Sequence, residues 1–117
     1  MTVSHHIYSA RARHLAALLV ADTFRIRHNL GKNQNAYLRA VVEYHGTGRS
    51  WVFSSRPSFN ERIRVSLVKR GLLIESQREI TTWNNAHKYT VTEVEPTAEA
   101  LELFDVALKH YAEEEEV

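Results

Sequence analysis

The sequence predicts a mostly helical α+β fold, and three observations carry that prediction. The first is a bounded basic helix. Ser58 and Glu61 have the S-x-x-E spacing of a capping box, in which hydroxyl and carboxylate satisfy N–H groups that a helix start leaves unpaired, and Pro57 disfavours helix just upstream. Gly71 tolerates the left-handed conformation of a helix end, and Lys69 and Arg70 place positive charge in the last turn, so the helix is expected over 59–70. The second is a change of period beyond Gly71. Residues 72–77 and 87–92 read as strands, the latter alternating Tyr89 and Val91 with Lys88, Thr90 and Thr92. The third is apolar spacing of helical period at both ends of the chain.

Taken in order, Ser4 or Ser9 caps a first helix that reaches His28, ahead of the breaker-rich segment 30–33. Its Leu15, Ala16, Leu18, Leu19, Val20 and Phe24 cover more than one stripe, which calls for two packing partners, one inside the protomer and one open to an outside partner. Asn35 is expected to cap a second helix whose Tyr37, Leu38, Val41, Val42 and His45 share a face until Gly46 and Gly48 end it. Segment 49–56, RSWVFSSR, reads two ways: Trp51, Val52 and Phe53 are strand formers, so it is a small strand or a distorted turn of helix. Between the later strands lies REITTWNNA, where Asn84 and Asn85 suit a turn at positive φ. Pro96 and Thr97 signal a final helix, Glu99 and Glu102 suit its amino-terminal dipole, and Leu101, Phe104, Leu108 and Tyr111 recur at helical spacing. Residues 113–117 read as a solvated acidic tail. An indole at the tip of a wing can pack on a sugar or a partner, but Trp83 is expected to cover the sheet edge or the core instead, and Trp51 to enter the core.

At 117 residues the chain reads as one domain over 1–112, with terminal helices in 1–30 and 97–112 around a core unit of 35–92. An apolar content of 44% with 25% charged residues is that of an ordinary soluble protein. The absence of cysteine excludes disulfides, thiol redox sensing, Cys-ligated zinc and a Cys nucleophile. Seven histidines include no HxxxH or HExxH spacing and lack acidic neighbours, so no metal or other cofactor is expected. No Gly-rich phosphate loop, G-x-S-x-G elbow or scaffolded carboxylate pair is present, and the chain is read as a non-enzyme. The most apolar run, LAALLVA, is too short to span a bilayer, and the amino terminus lacks the order of a secretory signal, so a cytoplasmic location without membrane contact is expected.

Charge is divided along the chain. Residues 1–70 hold 12 Lys plus Arg against 3 Asp plus Glu, a net of +9, while residues 71–117 hold 3 against 11, a net of −8. The overall +1 conceals a basic segment that ends in the capped helix, which points to a polyanionic partner. Within that helix Phe59, Ile63 and Leu67 are four apart and face the core, leaving Arg62, Ser66 and Lys69 outward, with Ser58 and Asn60 at the exposed first turn.

The run KRGLL, a polar hairpin and then KYTVTE resemble the carboxy-terminal half of a MarR-type or related winged helix-turn-helix regulator, over about a third of the chain. The resemblance implies a winged helix-turn-helix with a two- or three-stranded β wing, and terminal helices that form a homodimer interface. It implies a DNA-binding role in transcription regulation on double-stranded DNA, with a small-molecule effector as a possible further partner. Helix 59–70 would enter a major groove, where Arg62 suits a guanine edge and Asn60 an adenine or a phosphate. Arg64 would meet phosphate or an acidic neighbour. On the wing, 77–88, Arg78, Asn84 and Lys88 would reach backbone or minor groove, and Arg49 and Arg56 would flank the helix. The chain departs from the family where Glu93, Val94, Glu95 and Pro96 replace an expected glycine, and where RSWVFSSR stands in place of a clear first helix of the helix-turn-helix. The alternative is a winged-helix adaptor of phage or plasmid type. It would bind a host protein through the acidic half containing Glu93, Glu95, Glu99, Glu102, Asp105 and the EEEE tail.

Overall fold

Ser9 stands in extended backbone and its Oγ accepts from the Ala12 N–H at 3.0 Å, which sets the start of α1, Ala10–His28. The helix stops at Asn29, whose φ of 54° is left-handed, and the Leu30 N–H bonds back to the Arg25 carbonyl at 3.1 Å. These details come from a computed structural model that describes residues 8–46, 51–53, 59–84 and 87–115. The second helix, α2 (Lys32–His45), begins earlier than an Asn35 cap would place it: Gly31 is the N-cap, and its N–H donates to the Gln34 side chain at 3.1 Å. The left-handed turn at Asn29 reverses the chain so quickly that Gly31 already occupies the cap, and Asn35 falls inside the first turn.

Segment 49–56 resolves, where described, as a strand, β1 (Trp51–Phe53). Helix α3 (Phe59–Lys69) follows, and its proposed Ser58 cap lies outside the described residues. Its end has the paired bonds of a Schellman motif: Gly71, at φ 75°, donates to the Val68 carbonyl at 3.0 Å, and Leu72 donates to that of Leu67 at 3.0 Å. Strands β2 (Leu73–Thr81) and β3 (Lys88–Pro96) are each nine residues, longer than the alternation alone suggested. Pro96 closes β3 rather than opening the last helix. Thr97 takes the capping role, its hydroxyl accepting from the Ala100 N–H at 3.3 Å ahead of α4, Ala98–Glu115.

The sheet is antiparallel in the order β1-β3-β2, with Val94 of the central strand opposite both Trp51 and Glu75. Against it stands α2, whose Leu38, Val41 and Val42 are fully buried among side chains from the other helices and the sheet. Helix α1 buries Ala12, Ala16, Ala17, Val20, Ala21 and Phe24, and both its neighbours, α2 and α4, lie within the chain. Small residues on two faces let two helices approach it closely, while Leu19 and Ile26 remain outside the core. Helix α4 runs antiparallel to α1: Glu99 pairs with Arg27 at one end, and Glu115 accepts from Ser9 Oγ at 2.7 Å at the other, 3.9 Å from Arg11. The expected solvated tail is therefore helical as far as Glu115. Its carboxylate sits on the amino terminus of α1, where the helix dipole favours negative charge.

Gly71→Ala is expected to lower stability by about 1–2 kcal/mol, because an L side chain is strained in the left-handed region although no atom lies within 4 Å of the added Cβ. Gly71→Asn should lose less, since asparagine tolerates that region. Equal losses for the two in urea denaturation would contradict the backbone explanation.

Candidate functional site

Helix α3 is oriented by what it buries. Ile63 and Leu67 enter the core, as their spacing predicts, and Arg62 and Lys69 are exposed on the opposite side. Ser66 is half-buried and its Oγ accepts from Gln34 Nε2 at 2.8 Å, so part of its hydrogen-bonding capacity is already used. Gln34 thereby joins the first turn of α2 to the middle of α3, its Oε1 holding the Gly31 N–H at the same time.

Arg64 is not on the outer face. It is 8% exposed, with Nη1 hydrogen-bonded to Glu75 on β2 and Nη2 3.9 Å from Glu61. Of the two roles its position suggested, the acidic neighbour is the one the structure gives it. Arg70, just past the helix, is exposed and donates from Nη1 to the His28 carbonyl at 3.1 Å. That contact places a cation at the carbonyl end of α1 and ties the end of α3 to it. The outer face of α3 forms an open depression of about 620 Å³ lined by Glu61, Arg62, Val65, Ser66, Lys69 and Arg70. Three cations and one carboxylate line it, and that carboxylate is directed towards Arg64.

The hairpin is less cationic than its arginine and lysine suggest. Arg78 meets Glu93 at 2.7 Å and Lys88 lies 3.8 Å from Glu79, both diagonally across the β2–β3 pair. Asn84 does not use the left-handed backbone expected of it, since Asn29 is the one described non-glycine residue at positive φ. It acts through its side chain, with Oδ1 accepting from Thr82 Oγ1 at 2.8 Å. Trp83, expected to cover an edge or the core, does neither: it is 96% exposed at the tip, because the strands run past the body of the molecule and leave nothing there to cover.

Arg49, Arg56 and Ser58 lie outside the described residues, as do the side chains of Trp51 and Asn60, the latter in the first turn of α3. The structure thus gathers Arg62, Ser66 and Lys69 on one face and holds Arg78, Asn84 and Lys88 on the separate hairpin. Sequence reasoning missed Gln34, Glu75 and Arg70. The Gly31-x-x-Gln34 spacing resembles a cap pattern and was available as a signal, whereas the pairing of Arg64 with Glu75 crosses a helix-to-strand break and has none. Among the described residues no cluster of His, Asp or Glu is placed to hold a metal, and no helix is long and apolar enough to cross a membrane.

The class that fold and surface define is a small, mostly helical α+β chain presenting a cationic helix face beside a projecting two-stranded hairpin. Comparison with protein-family models, with curated proteins and with solved structures finds no match to the chain.

Glu75→Ala is expected to cost about 2–4 kcal/mol, since it leaves the buried Arg64 guanidinium without its nearest carboxylate. The pair replaced together, Arg64→Met with Glu75→Leu, should recover most of that loss. Additive losses in a thermal-denaturation cycle of these variants would show that the two residues do not act as a unit.

Proposed function

We propose that the chain is a sequence-specific, double-stranded DNA-binding transcriptional regulator with a winged helix-turn-helix arrangement, in which α3 enters the major groove. The observation that carries this reading is the exposed strip of Arg62, Lys69 and Arg70 on a helix whose opposite face is anchored in the core. Helix α4, which carries much of the acidic charge, lies along α1, and among the described residues no ion pair joins it to α3. A cationic rod left uncovered in this way suits a groove lined by phosphates. The order of helix, left-handed glycine and hairpin supports the winged-helix reading, although Arg78 and Lys88 must exchange Glu93 and Glu79 for phosphate before they contribute. Arg62 is assigned to a base edge, Lys69 and Arg70 to phosphates, and Ser66 to a secondary role because Gln34 already holds it.

A second reading, an adaptor that binds a host protein, is favoured by the exposed carboxylates Glu102 and Glu113 of α4, which would suit a basic protein partner rather than DNA. Binding of labelled duplex at two salt concentrations separates the two. A regulator loses affinity steeply as salt rises, whereas no binding to any duplex at low salt removes the regulator reading. Selection from random duplexes tests the residue roles. Arg62→Ala should cost about 1–3 kcal/mol at the preferred site and relax its sequence, while Lys69→Ala should weaken all duplexes alike and reduce the salt slope by about 1.

The regulator is proposed to act as a homodimer through the outer faces of α1 and α4. Ile26 and Val106 are 74% and 67% exposed there, and Leu19 adds to the same apolar surface. Arg25 and Arg27 on α1 are matched to Asp22 and Glu99 within the chain, so the apolar side chains carry this proposal. Light scattering should give twice the chain mass, and Val106→Asp should halve it with no change in helix content. A monomeric native chain would dismiss the dimer without affecting DNA binding by α3.

A further inference from the structure

The hairpin carries an unexplained side chain at its end. Trp83 is 96% exposed, yet the turn around it is closed by other groups: the Thr82 N–H bonds to the His87 carbonyl at 3.0 Å, the His87 N–H to Thr82 Oγ1 at 3.2 Å, and Thr82 Oγ1 to Asn84. The indole takes no part in forming the loop or in packing. A large apolar ring held in water at the end of a hairpin is a contact residue awaiting a surface.

The chemistry near it selects the surface. Carboxylates of the hairpin stop at Glu79 on β2 and resume at Glu93 on β3, so residues 80–92, ITTWNNAHKYTVT, contain no acid. They contain Lys88, two asparagines, four threonines and an exposed Tyr89 opposite Ile80. A tip that is aromatic and rich in hydroxyl and amide groups, with its one cation, Lys88, near Glu79 at its base, suits the wall of a nucleic-acid groove, where phosphate oxygens accept hydrogen bonds and sugars and bases offer flat apolar faces. Strand β1 covers β3 only at Thr92–Val94, opposite Glu75–Gln77, so the four residues Arg78–Thr81 of β2 carry the tip roughly 13 Å past the three-stranded base.

We infer that Trp83 is the groove-contacting residue of the hairpin, packing its indole against sugar and base edges in the minor groove next to the one that α3 occupies. The inference rests on the DNA-binding reading of α3 and adds to it an apolar contact independent of charge. Such a contact strengthens binding without releasing counterions, so it contributes affinity that salt does not remove.

The test uses the full chain, its Trp83→Phe and Trp83→Ala variants, and a random-sequence duplex of about 40 base pairs, roughly four helical turns. Trp83 projects into water, so the variants should keep the native circular-dichroism spectrum. The part of the tryptophan emission lost in Trp83→Phe reports the indole. On duplex binding, followed by anisotropy of the labelled DNA, that part should be quenched or blue-shifted and become protected from acrylamide. Trp83→Ala should weaken binding roughly tenfold at every salt concentration, with an unchanged salt slope. Duplex that binds while the Trp83 emission and the Trp83→Ala affinity stay unchanged would overturn the inference and leave the role of α3 intact. No duplex binding at all would overturn both. Protection of Trp83 by anionic phospholipid vesicles but not by bound duplex would overturn it in favour of a lipid surface.

Discussion

Arginine keeps its charge inside proteins, so burying Arg64 to 8% exposure requires carboxylates to face it, and Glu75 and Glu61 do so. Glu75 is the third residue of β2, and Arg64 lies about two helical turns before the Gly71 reversal. The pair therefore spans the junction at which helix becomes strand and fixes the angle between them. Once Arg64, Ile63 and Leu67 are turned inward, the helical period leaves Arg62, Ser66 and Lys69 no face but the outer one. The same pair roots the hairpin, since β2 leaves the body in the direction that Glu75 and the buried Leu73 dictate. A buried ion pair is a weak source of net stability, but an unpaired member is costly, and that asymmetry makes it a device for fixing orientation.

Charge that is divided along the sequence is redistributed by the fold. The basic excess of the first 70 residues is partly neutralised by acids from residues 71–117: Arg27 meets Glu99, Arg11 lies near Glu115, and Arg64 meets Glu75. The acids of the hairpin are in turn matched to Arg78 and Lys88. What remains is smaller than the segment totals imply, and among the described residues Arg62, Lys69 and Arg70 gather on the outer strip of α3, with Lys32 and Lys109 exposed elsewhere. Exposed pairs of this kind contribute little to stability, so their main effect is on where free positive charge is left.

Much of the fold was legible because local signals agreed with the global outcome. Ser9, Gly71 and Thr97 each mark a helix boundary through local chemistry that needs no tertiary context, and the positions of Ile63 and Leu67 followed from helical period alone. The failures share a cause. The start of α2 depended on a left-handed Asn29, which sequence marks only weakly. The acidic terminus read as solvated because Glu115 gains its partner from Ser9, 106 residues away. Trp83 was assigned to the interior because a large indole is usually covered, and nothing local reveals that the strands extend beyond the body. Of the candidate site, the outward set on α3 was legible from period, whereas the pairing of Arg78 and Lys88 with cross-strand acids required the register.

The hairpin beyond Ser76 has no layer on either face, and two strands alone are marginal in water. It is held by cross-strand contacts in place of a core: Ile80 stands opposite Tyr89, Arg78 reaches Glu93, Lys88 approaches Glu79, and the Thr82 bonds close the end. Each contributes on the order of 0.2–1 kcal/mol, enough together to keep the strands in register but not to stiffen them as packing would. The ion pairs therefore do two jobs that oppose one another. They hold the ribbon straight while it is free, and they occupy the cations that a polyanion would need. A partner rich in phosphate would relax the hairpin as it draws Arg78 and Lys88 away, leaving the apolar and hydroxyl groups of the tip to keep it seated. Affinity in such an arrangement is carried by α3, and the hairpin contributes mainly through what is uncharged.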